Sequence, residues 1–539
     1  MASPADSDSA SGSINKTSQN HIIGDTEKTV GGHYQTTIDE FGDHGAHILD
    51  VNRLGSEGQN LQTAKDGKTV LIPQPSSDPN DPLNWSSTKK HIILLVIAVV
   101  AFVPDFGSSM GVVTLIPQAA QWKLTPDTVQ HNLVGQFGTL AGGALFTVWL
   151  SAYFGRLPIL VWFITISFGL AIWTAVATSF NSYMAARIIT GFFVIVAQAG
   201  GLMWIRDLFF FHEHPRKINI WAGAVIVSPY LGPLIAAFII NKKPWADAFW
   251  VYVACTGLAW LLVFLCDETL YNRTIPTQDQ PVPKSRVLRI VGIEQWQHRR
   301  ARGQTFKQAV MRPLIAISKL PVLLCTIYYF LNFAWVIGVN ATISIWVTTI
   351  YKFTPYNLGF FYFAPIIGAL LGALIGHFLN DIIGTMYQRR HNGTIEPEAR
   401  LIIIWLATPI MAISILILGY AIERVWHWIV LAIFFASQVM GIMIATTAIN
   451  AYLLDAYPEG SGEVGAWIVV GRTMGGLMAT YIEISWVTKS GPEKAFGAQC
   501  GITAAAGLII LFLGFYGKKI RMAQGRMSFA KELGYGLAK

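Results

Sequence analysis

The 539-residue sequence predicts an all-α membrane protein with 12 transmembrane helices in two six-helix groups. Three observations predict this. The chain is 53% hydrophobic and only 13% charged, with a mean hydropathy of +0.45, too apolar for a soluble domain of this size. It holds twelve long apolar stretches, and a helix needs about 20 apolar residues to cross a hydrocarbon core of about 30 Å. Between the sixth and seventh stretch lies a long polar break, Asp267–Leu320. Apolar runs of this length exclude a β-barrel, the other structure that satisfies every backbone group in lipid.

In order, the first six spans are Ile92–Val113, Val129–Leu150, Leu157–Thr178, Met184–Trp204, Ile218–Ile240 and Ala248–Leu265. After the break come Val322–Thr349, Leu358–Leu379, Leu401–Ile422, Trp426–Asn450, Ala466–Val487 and Ala498–Phe515. An even number of spans leaves both termini on one side. One set of alternate loops carries Lys89, Lys90, Arg156, Arg206, Arg216, Lys217, Arg389, Arg390, the basic middle loop and the basic tail, whereas the other set is poor in Lys and Arg. The positive-inside bias therefore puts both termini in the cytosol. The net charge of +8 reads as attraction to anionic inner-leaflet lipid, with no nucleic-acid partner implied.

Residues 1–80 are rich in Ser, Asp, Gly, Thr and Asn without apolar periodicity, the composition of a disordered tail. No signal peptide is evident; the first span can serve as the insertion signal. His21, His33, His44 and His47 lack metal-ligand spacing, and the four cysteines show no disulfide pattern. Sequons at Asn84, Asn272 and Asn392 fall on the cytosolic side and Asn340 inside a span, so none should carry glycan. In the middle loop, residues 286–300 place Val287, Ile290, Val291 and Ile293 on one face and Arg286, Arg289, Arg299 and Arg300 on the other. A helix on the membrane surface and a loop helix packed on the bundle both fit. The domain division is thus a tail at 1–80, bundles at 81–266 and 321–516, a middle loop with an amphipathic helix at 267–320, and a basic tail at 517–539.

The halves look like repeats. The second span ends in Tyr153-Phe154-Gly155-Arg156 and the eighth in Asn380-Asp381-Ile382-Ile383-Gly384 followed by Arg389 and Arg390. The fourth leaves the membrane through Arg206-Asp207 and the tenth through Leu454-Asp455. Two such halves around a cavity are a common basis of alternating access.

Further motifs are Asp81-Pro82-Leu83-Asn84-Trp85 with Lys89-Lys90, Ala186-Arg187-Ile188-Ile189-Thr190-Gly191, Ser228-Pro229-Tyr230-Leu231-Gly232-Pro233 and Asp267-Glu268-Thr269-Leu270-Tyr271. The second half adds Glu396-Pro397-Glu398-Ala399-Arg400-Leu401 and Tyr452-Leu453-Leu454-Asp455-Ala456-Tyr457-Pro458. In this order they resemble the fungal members of the major facilitator superfamily, in the twelve-span drug:proton antiporter branch, and are most similar there to a group related to histidinol and polyamine permeases. The resemblance implies the major facilitator fold of two six-helix pseudo-repeat bundles, a proton gradient as the driving force without a cofactor, and a plasma-membrane location. One departure stands out. Where the family's loop motif reads Asp-Arg-x-Gly-Arg-Arg, this chain has Ala152-Tyr153-Phe154-Gly155-Arg156-Leu157. Arg156 alone must then serve the gate of that half. Pairs Arg156–Asp207 and Arg390 (or Arg389)–Asp455 are expected, which with Asp381 make up the cytosolic gate.

Ionisable groups at bilayer depth are functional candidates by default. Asp105 lies deep in the first span beside Pro104 and Gly107, suited to proton coupling or to a cationic substrate. Arg187 matches the family's Arg position in the fourth span, with Asp105 as one candidate partner, and Arg472 sits near mid-depth in the eleventh. Glu483 reads as interfacial, and Glu463 as a gate or capping group. Gly368, Gly372 and Gly376 permit close helix approach, and Pro229 and Pro233 should kink the fifth span. Cavity candidates are Gln198, Tyr230, Phe330, Asn332, Trp335, Asn340, Gln438, Asn450 and Trp467. Together they suit an amphiphilic organic solute. Acids with aromatic faces would suit cations and the two arginines anions, so both charges remain open.

The sequence lacks GxxxxGK[ST], HExxH and Gly-x-Ser-x-Gly, which argues against an ATPase or a common hydrolase. The expectation is a monomeric, proton-coupled exporter of small organic compounds. The alternative is proton-coupled uptake of a small polar or nitrogenous solute.

Overall fold

The computed structural model describes residues 47–48, 61–273, 285–297, 305–391 and 394–529. Eleven helices among these are long and apolar enough to span a membrane. The remaining long helix, Ser461–Ser490, falls short in hydropathy because it carries Glu463, Arg472, Glu483 and five glycines. It supplies the eleventh of twelve spans. Glu463, Arg472 and Glu483 are all buried against protein, which is where charged residues at bilayer depth are tolerated.

The observed helices outrun the apolar stretches at both ends. The first span runs Ser87–Trp122. It starts at Ser86, whose side chain accepts from the Lys89 amide, and ends at Lys123 with φ 54°, a left-handed C-cap. The second, Pro126–Phe154, opens on a Thr125 cap with proline in its first turn, where the missing N–H is not needed. The fourth runs Phe180–Val194 and Val196–Leu208, with Ile195 itself helical in conformation. The fifth continues through Pro229 and Pro233 from His214 to Ile240. In the eighth, Gly368 and Gly372 lie against the backbone of Ala436 and Met440 of the tenth span (Trp428–Ala456). A methyl group at Gly368 would come within 2.1 Å of the Ala436 carbonyl.

All twelve spans put residues 87 and 524 at the same face, here called the terminal face. The helix Phe306–Ser318 of the middle segment begins with a Thr305/Gln308 capping box and joins the halves there. Its Phe306 ring meets Trp149 and Tyr153 of the second span edge-on, at centroid distances of 5.3 and 5.6 Å. Its Arg312 pairs with Glu463 of the eleventh at 2.7 Å. The Trp467 indole donates to the Pro313 carbonyl at 2.7 Å, so Trp467 holds this helix and does not face the cavity. The expected amphipathic helix at 286–300 forms as two short pieces, Arg286–Val291 and Ile293–Gln297, separated by Gly292 at φ 87°. Residues 298–300 lie outside the described residues.

The N-terminal segment departs from its composition. Residues 1–46 and 49–60 lie outside the described residues, but His47–Ile48 pairs antiparallel with Thr394–Ile395, and residues 61–80 fold onto the terminal face. Phe211 N donates to Ile72 O at 2.8 Å. Asp81 caps the turn Pro82–Asn84 and is gripped by Arg273 at 2.7 Å. Such polar, sequence-distant contacts leave no apolar periodicity to read.

Candidate functional site

A cavity lies between the two halves, near the middle of the bundle. Its polar centre is built by three spans. Asp105 is the nineteenth residue of the 36-residue first span. Arg472 reaches it from the eleventh span, with Nη1 2.6 Å from Asp105 Oδ2. Gln198 of the fourth span lies between: its Nε2 donates to Asp105 Oδ2 at 2.9 Å and to the Ala101 carbonyl at 2.7 Å. Its Oε1 accepts from Arg472 Nη2. The three side chains are 6%, 1% and 6% exposed for Asp105, Gln198 and Arg472. A charge pair so far from water needs close geometry and further hydrogen bonds to offset desolvation, and Gln198 supplies them on both sides.

Arg187 does not pair with Asp105. Its Nη1 and Nη2 donate to the Gly107 and Ser108 carbonyls at 2.6 and 2.9 Å. The rings of Phe249 and Tyr183 lie 5.5 and 5.9 Å from its guanidinium. The physical reason is that Arg472 and Gln198 already occupy the Asp105 carboxylate. Arg187 instead fixes the first span immediately after Asp105, where Gly107 and Ser108 follow Pro104.

The fifth span contributes a break that the seventh repairs. Proline at 233 has no N–H, so the Pro229 carbonyl four residues earlier has no partner within the helix. Asn340 Nδ2 donates to that carbonyl at 3.2 Å across the boundary between the halves. Asn340 and Tyr230 both line the cavity with Asp105 and Arg472. The other cavity candidates are not among the residues lining this cavity. Asn332 donates to the Tyr328 carbonyl of its own helix at 2.9 Å. Trp335 packs on Trp486 at 5.8 Å. Asn450 bonds the Tyr329 hydroxyl at 3.1 Å and the Thr446 carbonyl at 2.8 Å. Gln438 is buried, and its amide atoms have no hydrogen-bond partner among the described residues. Phe330 is also absent from the lining, while Phe137, Phe333, Ser108, Ser109 and Thr480, which the sequence did not single out, belong to it. A period-3.6 pattern would have exposed some of these, but helices apolar all round carry no such stripe.

Contacts between the halves flank the cavity on both faces. Away from the terminal face, Gln130 Nε2 donates to the Thr480 carbonyl at 2.8 Å, and Phe238 meets Tyr356 and Phe360 at 5.7 and 5.3 Å. At the terminal face Arg206 Nη1 donates to the Pro458 carbonyl at 2.6 Å, and Arg216 pairs with Asp381 at 2.9 Å.

Of the expected gate pairs, Arg156 and Asp207 are in ion contact, with Arg206 3.0 Å from the same carboxylate. The missing acid of the loop motif has a substitute: Glu268 accepts from the Arg156 and Leu157 amides, both at 3.2 Å. That caps the third span just beyond Gly155, whose φ of 101° suits glycine. The Arg390–Asp455 pair does not form. Arg389 and Arg390 are exposed in the last turn of the eighth-span helix, whereas Asp455 is buried. Arg400, carried on the turn Pro397–Ile403, reaches it at 3.2 Å. Glu483, expected near the outer interface, is fully buried against protein and accepts from Gln499 of the twelfth span at 2.9 Å.

Two helical halves around a shared polar centre at mid-depth define a membrane transporter. A family profile described as Major Facilitator Superfamily matches residues 96–480, and the chain belongs to that superfamily. An uncharacterized MFS-type transporter of Schizosaccharomyces pombe is 25% identical over 528 residues, covering 84% of this chain and 88% of its own. The MFS transporter cpaT of Aspergillus oryzae is 26% identical over 86% of this chain and 94% of its own. Among solved structures, the proton:xylose symporter XylE has a TM-score of 0.60 at 15% identity, over 80% of this chain and 96% of that one. The human organic anion transporter MFSD10 has a TM-score of 0.56 at 15% identity, over 78% and 99%. Both show the shared fold.

Proposed function

We propose that this transporter is a proton-coupled antiporter exporting small amphiphilic organic compounds by alternating access, a member of the drug:proton antiporter branch. The observation that carries the reading is the Asp105–Arg472 pair, which joins the two halves at the cavity. A proton on Asp105 removes the charge that holds Arg472, so protonation and separation of the halves at this depth become one event. A substrate that engages Asp105 or Arg472 competes with the same pair. Phe137, Phe333, Val225 and Tyr230 give the cavity apolar walls beside the charged pair.

The bias of positive charge toward the terminal-face loops supports a cytosolic position for that face, and the reading takes the protein as a monomer in the plasma membrane. A second reading, uptake of a small polar or nitrogenous solute with protons, draws on Ser108, Ser109, Asn340 and Thr480 in the cavity wall. The experiment is a screen in proteoliposomes under an imposed pH gradient, with cationic, neutral and anionic compounds. Amphiphile movement against the proton flux supports the exporter. Movement of a polar solute with the proton flux puts uptake first, and gradient-independent movement of every substrate overturns proton coupling.

A further inference from the structure

Glu483 is the twenty-third residue of the eleventh span, Ser461–Ser490, and no part of its surface is exposed. Its Oε1 accepts one hydrogen bond, from Gln499 Nε2 at 2.9 Å. Its Oε2 has no hydrogen-bond partner among the described residues. That oxygen points at Gly338 of the seventh span, where a methyl group would come within 3.1 Å of it, so glycine there provides the space the carboxyl fills.

No described cation shares this space. The seventh span, Leu320–Tyr351, contains no Asp, Glu, Lys or Arg. The tenth has only Asp455, at its terminal-face end, and the second, Pro126–Phe154, which also packs on the eleventh, has only Asp127 and His131 as acidic or basic residues, the His131 ring stacked on Tyr481 at 6.3 Å. The twelfth has Glu493 and Lys494 in its first turn and Lys518, Lys519 and Arg521 near its other end, with the half-buried Cys500 thiol beside Gln499. On the eleventh span itself, Arg472 is engaged by Asp105 and Lys489 is exposed in the last turn. An ionised carboxylate in such surroundings would be a buried, unpaired charge with one lone hydrogen bond, which is far more costly than a neutral acid.

We propose that Glu483 is a proton-binding site distinct from the Asp105–Arg472 pair, holding its proton as a neutral carboxylic acid in the conformation described here. The carboxyl oxygen toward Gln499 stays an acceptor, and the proton occupies the oxygen facing Gly338. Release of that proton requires water or a cation to enter between the seventh, eleventh and twelfth spans, so alkaline pH acts on the packing of the C-terminal half. This stands whether or not Asp105 carries the coupling.

The test is infrared spectroscopy of the full-length protein in lipid nanodiscs at neutral pH, read in the carboxylic-acid C=O stretching region. Wild type should show the absorbance of one protonated carboxyl that Glu483→Gln lacks, that Glu483→Asp shifts, and that Asp105→Asn retains. Raising the pH should bleach it in wild type. Coincident spectra for wild type and Glu483→Gln would mean that the group is ionised and would overturn the proposal. Because glutamine has the shape and neutrality of the protonated acid, failure of Glu483→Gln to fold while Glu483→Asp folds would also overturn it.

Discussion

Asp105 and Arg472, 367 residues apart in sequence, meet at 2.6 Å in the middle of the bundle and tie the first half of the chain to the second. Each lies on a helix packed within its own half, so the pair reports directly on whether the halves are together at this depth. Gln198 bonds both partners.

Removing one partner strands the other. Arg472→Ala or Asp105→Ala should each destabilise the protein by roughly 3–5 kcal/mol, the usual effect of leaving a buried charge unpaired. The double variant Asp105→Leu/Arg472→Met should recover most of that stability without recovering gradient-driven transport. Thermal unfolding in detergent, with transport assayed in parallel, separates the two effects.

At the terminal face the decisive arginine of the second half is Arg400. Arg400→Ala should lower stability by about 3 kcal/mol, because Asp455 is buried and in ion contact with it. Arg390→Ala, at an exposed helix end, should stay within about 0.5 kcal/mol of wild type. Denaturation of the two variants side by side checks the assignment.

Arg156→Ala should be milder in stability than its burial suggests, about 1–3 kcal/mol, because Arg206 remains 3.0 Å from Asp207. Its transport rate should nevertheless change, since Arg156 is the one basic residue left in the loop motif. Initial-rate measurements of Arg156→Ala and Arg156→Lys decide this, with the lysine variant keeping the faster rate of the two.

The Asp81–Arg273 pair gives a pH dependence. Burial alone would raise the Asp81 carboxyl, but the Arg273 guanidinium outweighs it and holds the group below its usual 3.8. A carboxyl depressed in the folded state contributes stability above 3.8 and loses it as pH falls through the lower folded value. Asp81→Asn should therefore destabilise the protein at neutral pH by about 3 kcal/mol, with the difference from wild type shrinking toward zero in strong acid. Melting curves across the acid range measure it.

The spans and the shared face of the termini were legible because lipid imposes length and apolarity on each helix separately. Asp105 was legible as a lone acid in an apolar run. Its partner was not, because contact between residues 105 and 472 is a property of the assembled halves and leaves no local signal. The same applies to Arg400: the repeat-like correspondence between the ends of the eighth and tenth spans favoured Arg390, but a helix end directs Arg390 to the surface. The burial of Glu483 was not legible, because its cover comes from Gln499 of the twelfth span and from the continuation of its own helix to Ser490. Residues 61–80 show the reverse case, a polar composition ordered by Arg273, Tyr271 and Phe211 from far along the chain.

The most direct measurement is substrate movement in proteoliposomes by wild type and Asp105→Asn, with and without a pH gradient. Asparagine keeps the shape and the hydrogen bond to Gln198 but carries neither charge nor titratable proton. The variant should still exchange substrate without a gradient and no longer accumulate it against one. Undiminished gradient-driven accumulation by Asp105→Asn would contradict the assignment of coupling to the Asp105–Arg472 pair.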